Sequence, residues 1–163
     1  MLIAVLTVSD RCSRGEAEDT SGPAAVACVR AAWPEAEVET GLVPDEEDQI
    51  AARLEAWCAL GAALVLTTGG TGLSPRDHTP EATRRLLDRE APGLAEAMRA
   101  RGAEKNTYAW LSRGVAGLCG QTLLVNLPGS RRAVEESLDV LLPLLRHGLE
   151  TIRGGSEHPR GKS

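Results

Sequence analysis

The chain lacks an excess of positive charge and lacks any long apolar run. Its 18 lysines and arginines are outnumbered by 23 aspartates and glutamates, which gives a net charge of -5 and argues against a basic face for nucleic acid. Its longest apolar runs are far shorter than the roughly 20 residues that a membrane-spanning helix needs. Residues 1–3 lead straight into an apolar segment without the charged region of a secretory leader. We therefore expect no nucleic-acid partner, no membrane partner and a cytoplasmic location.

The cysteine patterns that would build a zinc site or a disulfide framework are also missing. Cys12, Cys28, Cys58 and Cys119 show no C-x-x-C spacing, and no histidines cluster near them. Free thiols fit a reducing compartment. Cys28, Cys58 and Cys119 stand among apolar neighbours, which predicts packing roles, whereas Cys12 falls in a polar stretch with no nearby histidine to activate it.

The chain does contain a regular alternation of strand and helix patterns. Predicted strands cover Leu2 to Val8, Val38 to Val43, Ala63 to Thr68, Val115 to Cys119 and Thr122 to Leu127, the last two forming a hairpin. Helical spacing of apolar residues separates the first strands and marks a terminal helix over residues 134–149. This order predicts one three-layer α/β domain, residues 1–153, with a mainly parallel sheet flanked by helices. The polar tail, residues 154–163, is predicted to be disordered.

Local patterns add four expectations to this outline. Ser9 to Thr20 is predicted to be a polar loop, and Asp45 with Asp48 resembles an acidic cap of the next helix. Pro92-Gly93 should divide the helical stretch from Pro80 to Ala100 into two helices. Pro143 should kink or restart the terminal helix.

In a parallel sheet, ligands bind beyond the carboxyl ends of the strands. That rule selects Ser9-Asp10 after the first strand, Asp45 after the second, the glycine loop after the third and Pro128-Gly129-Ser130 after the last. Ser130 is the predicted N-cap of the terminal helix, so this last turn is either a second anion site or an ordinary capped helix start. Two anion sites and several carboxylates at one edge fit substrates that carry several phosphates.

The glycine loop, L-V-L-T-T-G-G-T-G-L-S-P-R-D from Leu64 to Asp77, is the most informative segment. Its glycines lack a Cβ, so the backbone can present N–H groups to a bulky anion. Threonine and serine hydroxyls, Arg76 and the Asp77 carboxylate add donors, a positive charge and an oxygen ligand for a phosphate-bound Mg²⁺. Thr79-Pro80-Glu81 then opens a helix, with Thr79 as the predicted N-cap. Neither the dinucleotide fingerprint nor the Walker pattern fits this loop, and an ordinary strand-to-helix turn is the alternative.

Several segments together resemble one protein family. They read L-T-V-S-D (Leu6 to Asp10), V-P-D-E (Val43 to Glu46), T-T-G-G-T-G-L-S-P-R-D-H-T-P-E-A-T (Thr67 to Thr83), R-E-A-P-G (Arg89 to Gly93), L-S-R (Leu111 to Arg113) and N-L-P-G-S (Asn126 to Ser130). They follow the family's order over about residues 1–150. On these segments the chain resembles the MogA and gephyrin G-domain family of molybdenum-cofactor biosynthesis.

The resemblance implies a trimeric α/β protein and a molybdopterin adenylyltransferase, which uses Mg²⁺ and ATP to adenylylate molybdopterin and release pyrophosphate. It also implies that Asp45 and Asp77 are the catalytic pair, and with the loop chemistry it makes them the candidate Mg²⁺ ligands. The predicted substrate- and nucleotide-binding residues are Ser9, Asp10, Thr68, Gly69, Gly70, Thr71, Gly72, Ser74, Arg76, Thr79, Glu81, Ser112, Arg113, Pro128, Gly129 and Ser130. A homotrimer is expected, with apolar surface from Trp33, Trp57, Trp110 and the terminal helix available to seal its interface.

Two other interpretations stay open at this point. The related MoaB subgroup shares the fold and the glycine loop, and a non-catalytic trimeric scaffold or pterin-binding module would need neither aspartate. His78 and the bulky segment Asn106 to Trp110 depart from the family pattern. A molybdenum-insertion protein is a possible recipient of the product.

Overall fold

The computed structural model describes residues 1–154, which form a six-stranded sheet with helices on both faces. The strands are β1 (Leu2–Val8), β2 (Glu37–Val43), β3 (Leu64–Thr68), β4 (Arg89–Glu90), β5 (Ala116–Cys119) and β6 (Thr122–Leu127). The helices are α1 (Asp10–Ser13), α2 (Ser21–Ala32), α3 (Glu47–Ala59), α4 (Thr79–Arg84), α5 (Pro92–Ala103) and α6 (Arg131–Ile152), with a 3-10 helix at Thr107–Leu111.

The sheet order is β2-β1-β3-β6-β5-β4, and its larger part is parallel. Strand β1 pairs in parallel with β2 and β3, and β3 pairs in parallel with β6. The β5–β6 hairpin is antiparallel, which confirms the predicted fold class. No pattern in the sequence indicated β4, a two-residue strand that pairs antiparallel with β5. Because β1, β2, β3 and β6 run the same way, their carboxyl ends meet at one edge of the sheet.

Two apolar clusters lie on opposite faces of the sheet. One joins Ile3 and Val5 of β1 to α2, α5 and α6, and the other joins Ala4 and Leu6 to α3 and α4. Alternate residues of β1 therefore point to opposite faces, and both faces are covered. This arrangement has the three layers of the predicted fold class.

Trp57 lies inside this core, which corrects its expected place at an interface. Its side chain is fully buried, and its indole Nε1 donates a hydrogen bond to Glu39 Oε2 at 2.7 Å. Arg53 stacks 4.2 Å from the centre of the indole ring. Trp57 consequently holds α3 against the sheet and offers no surface to a partner.

The structure corrects two local expectations and excludes one of the two alternatives for a third. The polar loop from Ser9 to Thr20 contains the short helix α1, because Ser9 Oγ accepts the Cys12 N–H and caps it. Helix α4 begins at Thr79, so its N-cap is His78 and not Thr79. Helix α6 continues through Pro143 without a restart, and a kink at Pro143 stays a prediction. The division of the stretch after Pro80 into two helices, α4 and α5, is confirmed.

None of the helices in residues 1–154 is both long enough and apolar enough to cross a membrane. Apart from Gly154, the predicted disordered tail lies outside the described residues.

Candidate active site at the carboxyl edge of the sheet

Four loops meet at the carboxyl edge of the parallel strands, as predicted. The Thr68 hydroxyl at the end of β3 donates to the Pro128 carbonyl after β6, with an oxygen–oxygen distance of 2.6 Å. Gly129 approaches so closely that a Cβ there would lie 3.2 Å from Gly69 Cα. These contacts join the glycine loop to the Pro128–Ser130 turn.

Asp10 and Asp45 join the loops that follow β1 and β2. The Asp10 N–H donates to Asp45 Oδ2 at 2.8 Å, and the Asp45 N–H donates to Asp10 Oδ1 at 3.0 Å. Each aspartate thus satisfies the backbone of the other, which fixes both carboxylates at the sheet edge.

This exchange also corrects the expected helix cap. Helix α3 has Glu46 as its N-cap residue, with no side-chain capping hydrogen bond. Asp45 uses its carboxylate on the neighbouring loop instead, and Asp48 pairs with Arg85 at 2.7 Å.

Burial raises the pKa of Asp45, and the negative charges of Asp10 and Asp77 raise it further, although the Asp10 N–H acts in the opposite direction. Three carboxylates are therefore close enough to interact.

Arg76 lies among these carboxylates. Its guanidinium donates to both oxygens of Asp10 at 3.1 Å and to Glu46 Oε1 at 2.7 Å. The side-chain hydrogen bonds from Arg76 are the main reason that the pKa of Asp10 is lowered. Arg76 therefore joins the glycine loop to the loops after β1 and β2, and its predicted contact with phosphate stays a prediction.

The backbone of the glycine loop requires glycine at its first two positions. Gly69 has φ +99° and Gly70 has φ +64°, a region that L side chains rarely adopt. A Cβ on Gly69 would strike the Val8 carbonyl, and a Cβ on Gly70 would strike the Thr79 hydroxyl. The same Cβ on Gly70 would stand 3.0 Å from Asp45 Oδ1. The Gly70 backbone consequently lies directly beside the Asp45 carboxylate.

Asp77 stands at the other end of this loop. Its Oδ2 accepts the Ser74 N–H at 2.9 Å, and its own N–H donates to the Ser74 carbonyl at 2.9 Å. A Cβ on Gly72 would lie 2.9 Å from the same carboxylate oxygen. The turn that contains Ser74 thus orients the Asp77 carboxylate toward the glycine loop.

Asp45 and Asp77 fit a magnesium ion by the chemistry of their donors. In each carboxylate Oδ2 accepts a backbone N–H, and no hydrogen bond reaches Oδ1 from the described residues. Protein Mg²⁺ sites commonly use one or two carboxylates and complete the shell with water and substrate phosphates. Residues 1–154 hold no group of three or more histidine, cysteine, aspartate or glutamate side chains suited to a metal. A two-carboxylate site that depends on substrate phosphate is consistent with both observations.

Several predicted binding residues stabilise the conformation of the glycine loop through hydrogen bonds. The buried Thr79 hydroxyl donates to the Gly69 carbonyl at 2.9 Å, which explains why it does not cap α4. Arg113 donates to the Gly72 carbonyl at 2.7 Å and the Asp77 carbonyl at 2.6 Å, and it forms an ion pair with Glu81. These residues connect the glycine loop to α4 and to the L-S-R segment.

A buried amide supports this arrangement from beneath. Asn126 at the end of β6 donates to the Thr67 and Thr83 hydroxyls at 3.0 and 2.9 Å, and its Oδ1 accepts the Val115 N–H at 3.2 Å. The asparagine therefore connects β3, β6, α4 and the segment before β5. The N-L-P-G-S motif supplies a structural residue at its first position.

A cavity of about 700 Å³ opens beside the glycine loop. The predicted site residues that line it are Gly70, Thr71, Gly72, Asp77, Ser112, Pro128, Gly129 and Ser130. The predicted residues outside its lining are Ser9, Asp10, Asp45, Thr68, Gly69, Ser74, Arg76, Thr79, Glu81 and Arg113. Asp45 nevertheless lies close to the cavity, because its Oδ1 would be 3.0 Å from a Cβ on the lining residue Gly70.

The far wall of the cavity comes from α5, the 3-10 helix and the start of α6. Sequence reasoning did not predict the contributions of Met98, Arg99, Gly102, Lys105 and Glu136. Met98, Arg99 and Gly102 lie on α5, Glu136 lies on α6, and Lys105 lies in the turn after α5, so no local glycine-rich or hydroxyl-rich motif marks them. The only signal was the bulky segment after Lys105, of which Asn106, Tyr108 and Ala109 line the cavity.

The N-terminus of α6 borders the same space. Ser130 Oγ accepts the Ala133 N–H at 3.3 Å, which confirms the predicted cap. Glu136, which is mostly buried, accepts hydrogen bonds from Lys105 Nζ at 3.0 Å and Arg132 Nε at 2.8 Å. These two cations lower the pKa of Glu136, Arg132 having the larger effect. This side of the cavity carries ion pairs, while the glycine loop opposite offers carboxylates and backbone groups.

Known proteins share this fold and much of this sequence. The family described as a probable molybdopterin binding domain matches residues 4–147. The molybdenum cofactor synthesis protein cinnamon of Drosophila melanogaster is 42% identical, over 91% of this chain and 25% of its own length. The molybdopterin adenylyltransferase of Helicobacter pylori strain J99 is 37% identical, over 93% of this chain and 88% of its own length. The chain spans about half or less of the first curated relatives that it matches.

A solved structure agrees with these sequence comparisons. The molybdopterin biosynthesis enzyme MoaB of Thermus thermophilus superposes with a TM-score of 0.84 and is 50% identical. The match covers 94% of this chain and 96% of that one.

Proposed function

Because the chain belongs to the family of probable molybdopterin binding domains, we propose that it is a molybdopterin adenylyltransferase. The reaction transfers AMP from ATP to the terminal phosphate of molybdopterin and releases pyrophosphate. Relatives named molybdopterin adenylyltransferase that are 37–41% identical over most of this chain support a transferase in molybdenum-cofactor biosynthesis. The finer assignment of ATP, Mg²⁺ and the pterin phosphate is our proposal.

The observation that carries the proposal is the position of two carboxylates about the glycine loop. Asp45 adjoins Gly70 at one end, and Asp77 adjoins Gly72 at the other end on the cavity wall. A helix N-terminus capped by Ser130 borders the same cavity. Backbone N–H groups and a helix N-terminus suit phosphates, and paired carboxylates suit the metal that accompanies a nucleoside triphosphate.

In the proposed reaction, an oxygen of the pterin phosphate attacks the α-phosphorus of ATP. The bond from the α-phosphorus to the bridging oxygen breaks, and pyrophosphate leaves with that oxygen. The attacking phosphate is already ionised at neutral pH, so no side chain has to remove a proton from it. The protein's task is therefore to bring two polyanions together in the correct orientation.

Named residues perform that task. Asp45 and Asp77 would hold Mg²⁺, which when bound offsets negative charge on the α-phosphate and on pyrophosphate. Gly70 and Gly72 let the loop approach phosphate oxygens closely because they carry no Cβ. Asp10, Arg76 and Arg113 keep the loops in place through the hydrogen bonds described above. The fixed donors need no reorganisation as the reaction proceeds.

The proposal is tested by incubating the purified chain with ATP, MgCl₂ and molybdopterin. Adenylylated molybdopterin and pyrophosphate should form in equal amounts. Asp77→Asn should lower turnover on the order of a hundredfold or more, the scale for deleting a preorganised electrostatic group. Asp139→Asn makes the same chemical change at an exposed position of α6 outside the cavity and should leave turnover unchanged.

A MoaB-type protein of less certain activity is the second candidate, because the Thermus thermophilus protein named MoaB is 50% identical to this chain. The same assay separates the two functions. Molybdopterin binding without any adenylylated product would contradict the transferase and leave a MoaB-type or non-catalytic binding role. Normal turnover by the Asp77→Asn variant would contradict the assignment of that residue.

A further inference from the structure

Arg99 of α5 lines the cavity beside Ser112. Its Nη1 donates to the Ser112 carbonyl at 3.3 Å and to the Gly114 carbonyl at 3.1 Å. The side chain is half-buried. Two backbone acceptors on one nitrogen hold the guanidinium in a defined orientation at the cavity wall.

The charge of Arg99 distinguishes it from the other cations of the cavity. Lys105 and Arg132 are both paired with Glu136. Within residues 1–154, no carboxylate forms an ion pair with Arg99. A half-buried charge that has lost part of its water, and whose hydrogen bonds within residues 1–154 go to backbone carbonyls, is incompletely compensated. A bound anion would supply the negative charge that compensates Arg99.

The guanidinium also has the donors for such a contact. Arginine carries five N–H donors in a planar fork, and the two carbonyl bonds involve only Nη1. Nε and Nη2 remain for a ligand, and this fork matches phosphate oxygens. We propose that Arg99 is an anion-recognition residue of this cavity, which binds a phosphate group of the substrate next to Ser112.

This inference rests on the proposed function only in taking the ligand to be phosphorylated. The phosphate belongs either to ATP or to molybdopterin, and the chemistry at Arg99 is the same for both. A support role for the segment from Ser112 to Gly114 is the alternative, because the carbonyl bonds alone would justify the arginine.

Two substitutions separate charge from support. Arg99→Lys and Arg99→Gln both keep a donor for the carbonyls, but only the lysine variant keeps the charge. Isothermal titration with inorganic pyrophosphate, ATP and molybdopterin, each added separately, should show binding at least about tenfold weaker for Arg99→Gln than for Arg99→Lys. That ratio is the scale of one hydrogen bond to a charged group.

Arg146 of α6 provides the matched control. It also donates to a backbone carbonyl, that of Ala32 at 2.9 Å, and it lies outside the cavity lining. Arg146→Gln should therefore leave all three affinities unchanged. The substrate whose affinity falls in Arg99→Gln identifies the source of the phosphate.

Equal affinities of the two Arg99 variants, together with equally lowered melting temperatures, would overturn the inference and leave a support role. The result is independent of the overall reaction. If Arg99→Gln loses binding and the wild-type chain makes no adenylylated product, the inference stands and the proposed function fails. If Arg99→Gln binds and turns over both substrates normally, the inference fails and the proposed function stands.

Discussion

Asp10 and Asp45 exchange backbone-to-carboxylate hydrogen bonds of 2.8 and 3.0 Å across 35 positions of sequence. Arg76 donates to the same Asp10 carboxylate and directly precedes Asp77 in the chain. The two proposed catalytic carboxylates, Asp45 and Asp77, are thus connected through Asp10 and Arg76. Their relative position depends on a short network of charged groups at the protein surface.

The first prediction concerns this network. Arg76→Met should lower turnover by about tenfold to a hundredfold, since a displacement of about 1 Å at a reacting centre has effects of that size. The melting temperature should change little, because exposed ion pairs contribute little to folding. Kinetics and thermal melts on the same preparations measure both quantities.

Arg85→Met is the control for that experiment. Arg85 is as exposed as Arg76 and pairs with Asp48 and Glu47 on α3, but within residues 1–154 no side-chain ion pair joins it to the glycine loop. Its replacement should leave turnover unchanged. Equal losses for the two variants would show that general surface charge, and not the connection between the loops, matters.

A second prediction follows from the raised pKa of Asp45. A carboxyl whose folded-state pKa lies above the unfolded value favours folding below the unfolded pKa, 3.8, and loses this contribution as pH rises through the folded-state pKa. Asp45→Asn should therefore melt at a higher temperature than wild type at pH 7, and the difference should shrink toward pH 3.8. The amide oxygen can still accept the Asp10 N–H.

The same variant should lose most turnover, because the asparagine holds a metal poorly. Higher stability with lower activity would mark Asp45 as a residue kept for function at the expense of folding. Asp139→Asn, on the exposed face of α6, is the matched control for replacing a carboxylate by an amide. A melting temperature of Asp45→Asn below wild type at pH 7 would contradict the assigned effect of burial.

Much of the fold could be predicted because it depends on local pattern. Strand β1 consists almost entirely of buried apolar residues, and Gly120 at φ +58° supplies the hairpin turn. Ligands bind beyond the carboxyl ends of parallel strands, and this rule predicted that Asp10, Asp45 and the glycine loop lie close together without any knowledge of side-chain contacts.

The partners of the polar side chains could not be predicted in that way. Asp45 stands where a helix cap would stand, and only the folded sheet shows that its carboxylate faces the Asp10 N–H instead. Thr79 likewise uses its hydroxyl on Gly69 across the loop. Helix-borne residues such as Arg99 carry no local signature at all. Local hydrogen bonds compete with tertiary ones, and sequence spacing reports only the former.

The third prediction tests the buried amide beneath the site. Asn126→Ala removes the partner of the Val115 N–H and the donors to Thr67 and Thr83, so it should destabilise the chain by about 2–3 kcal/mol. Denaturant unfolding measures this loss. Thr122→Val on the same strand removes the 2.6 Å bond to the Ala62 carbonyl and the hydroxyl's interaction with the Cys58 thiol, and it should cost about 1 kcal/mol.

Turnover separates these two variants further. Asn126 connects α4 to β3 and β6 under the glycine loop, whereas Thr122 lies at the opposite end of β6. Asn126→Ala should therefore also weaken ATP binding at temperatures where it is still folded, and Thr122→Val should not. Unchanged binding in both variants would limit Asn126 to a role in stability.

The last prediction concerns assembly, which the family resemblance implies. Trp57 is buried and contributes nothing to an interface, but Trp110 is 57% exposed and Leu60 is 66% exposed. Apolar side chains exposed to this degree are common singly on a monomer, so they permit a homotrimer without requiring it. Light scattering at micromolar concentration should give a mass near three times 17.2 kDa. Because Gly70, Asp77, Ser112 and Ser130 of one chain already surround one cavity, each protomer should carry its own site. An active monomer would contradict the trimer while leaving the site assignment intact.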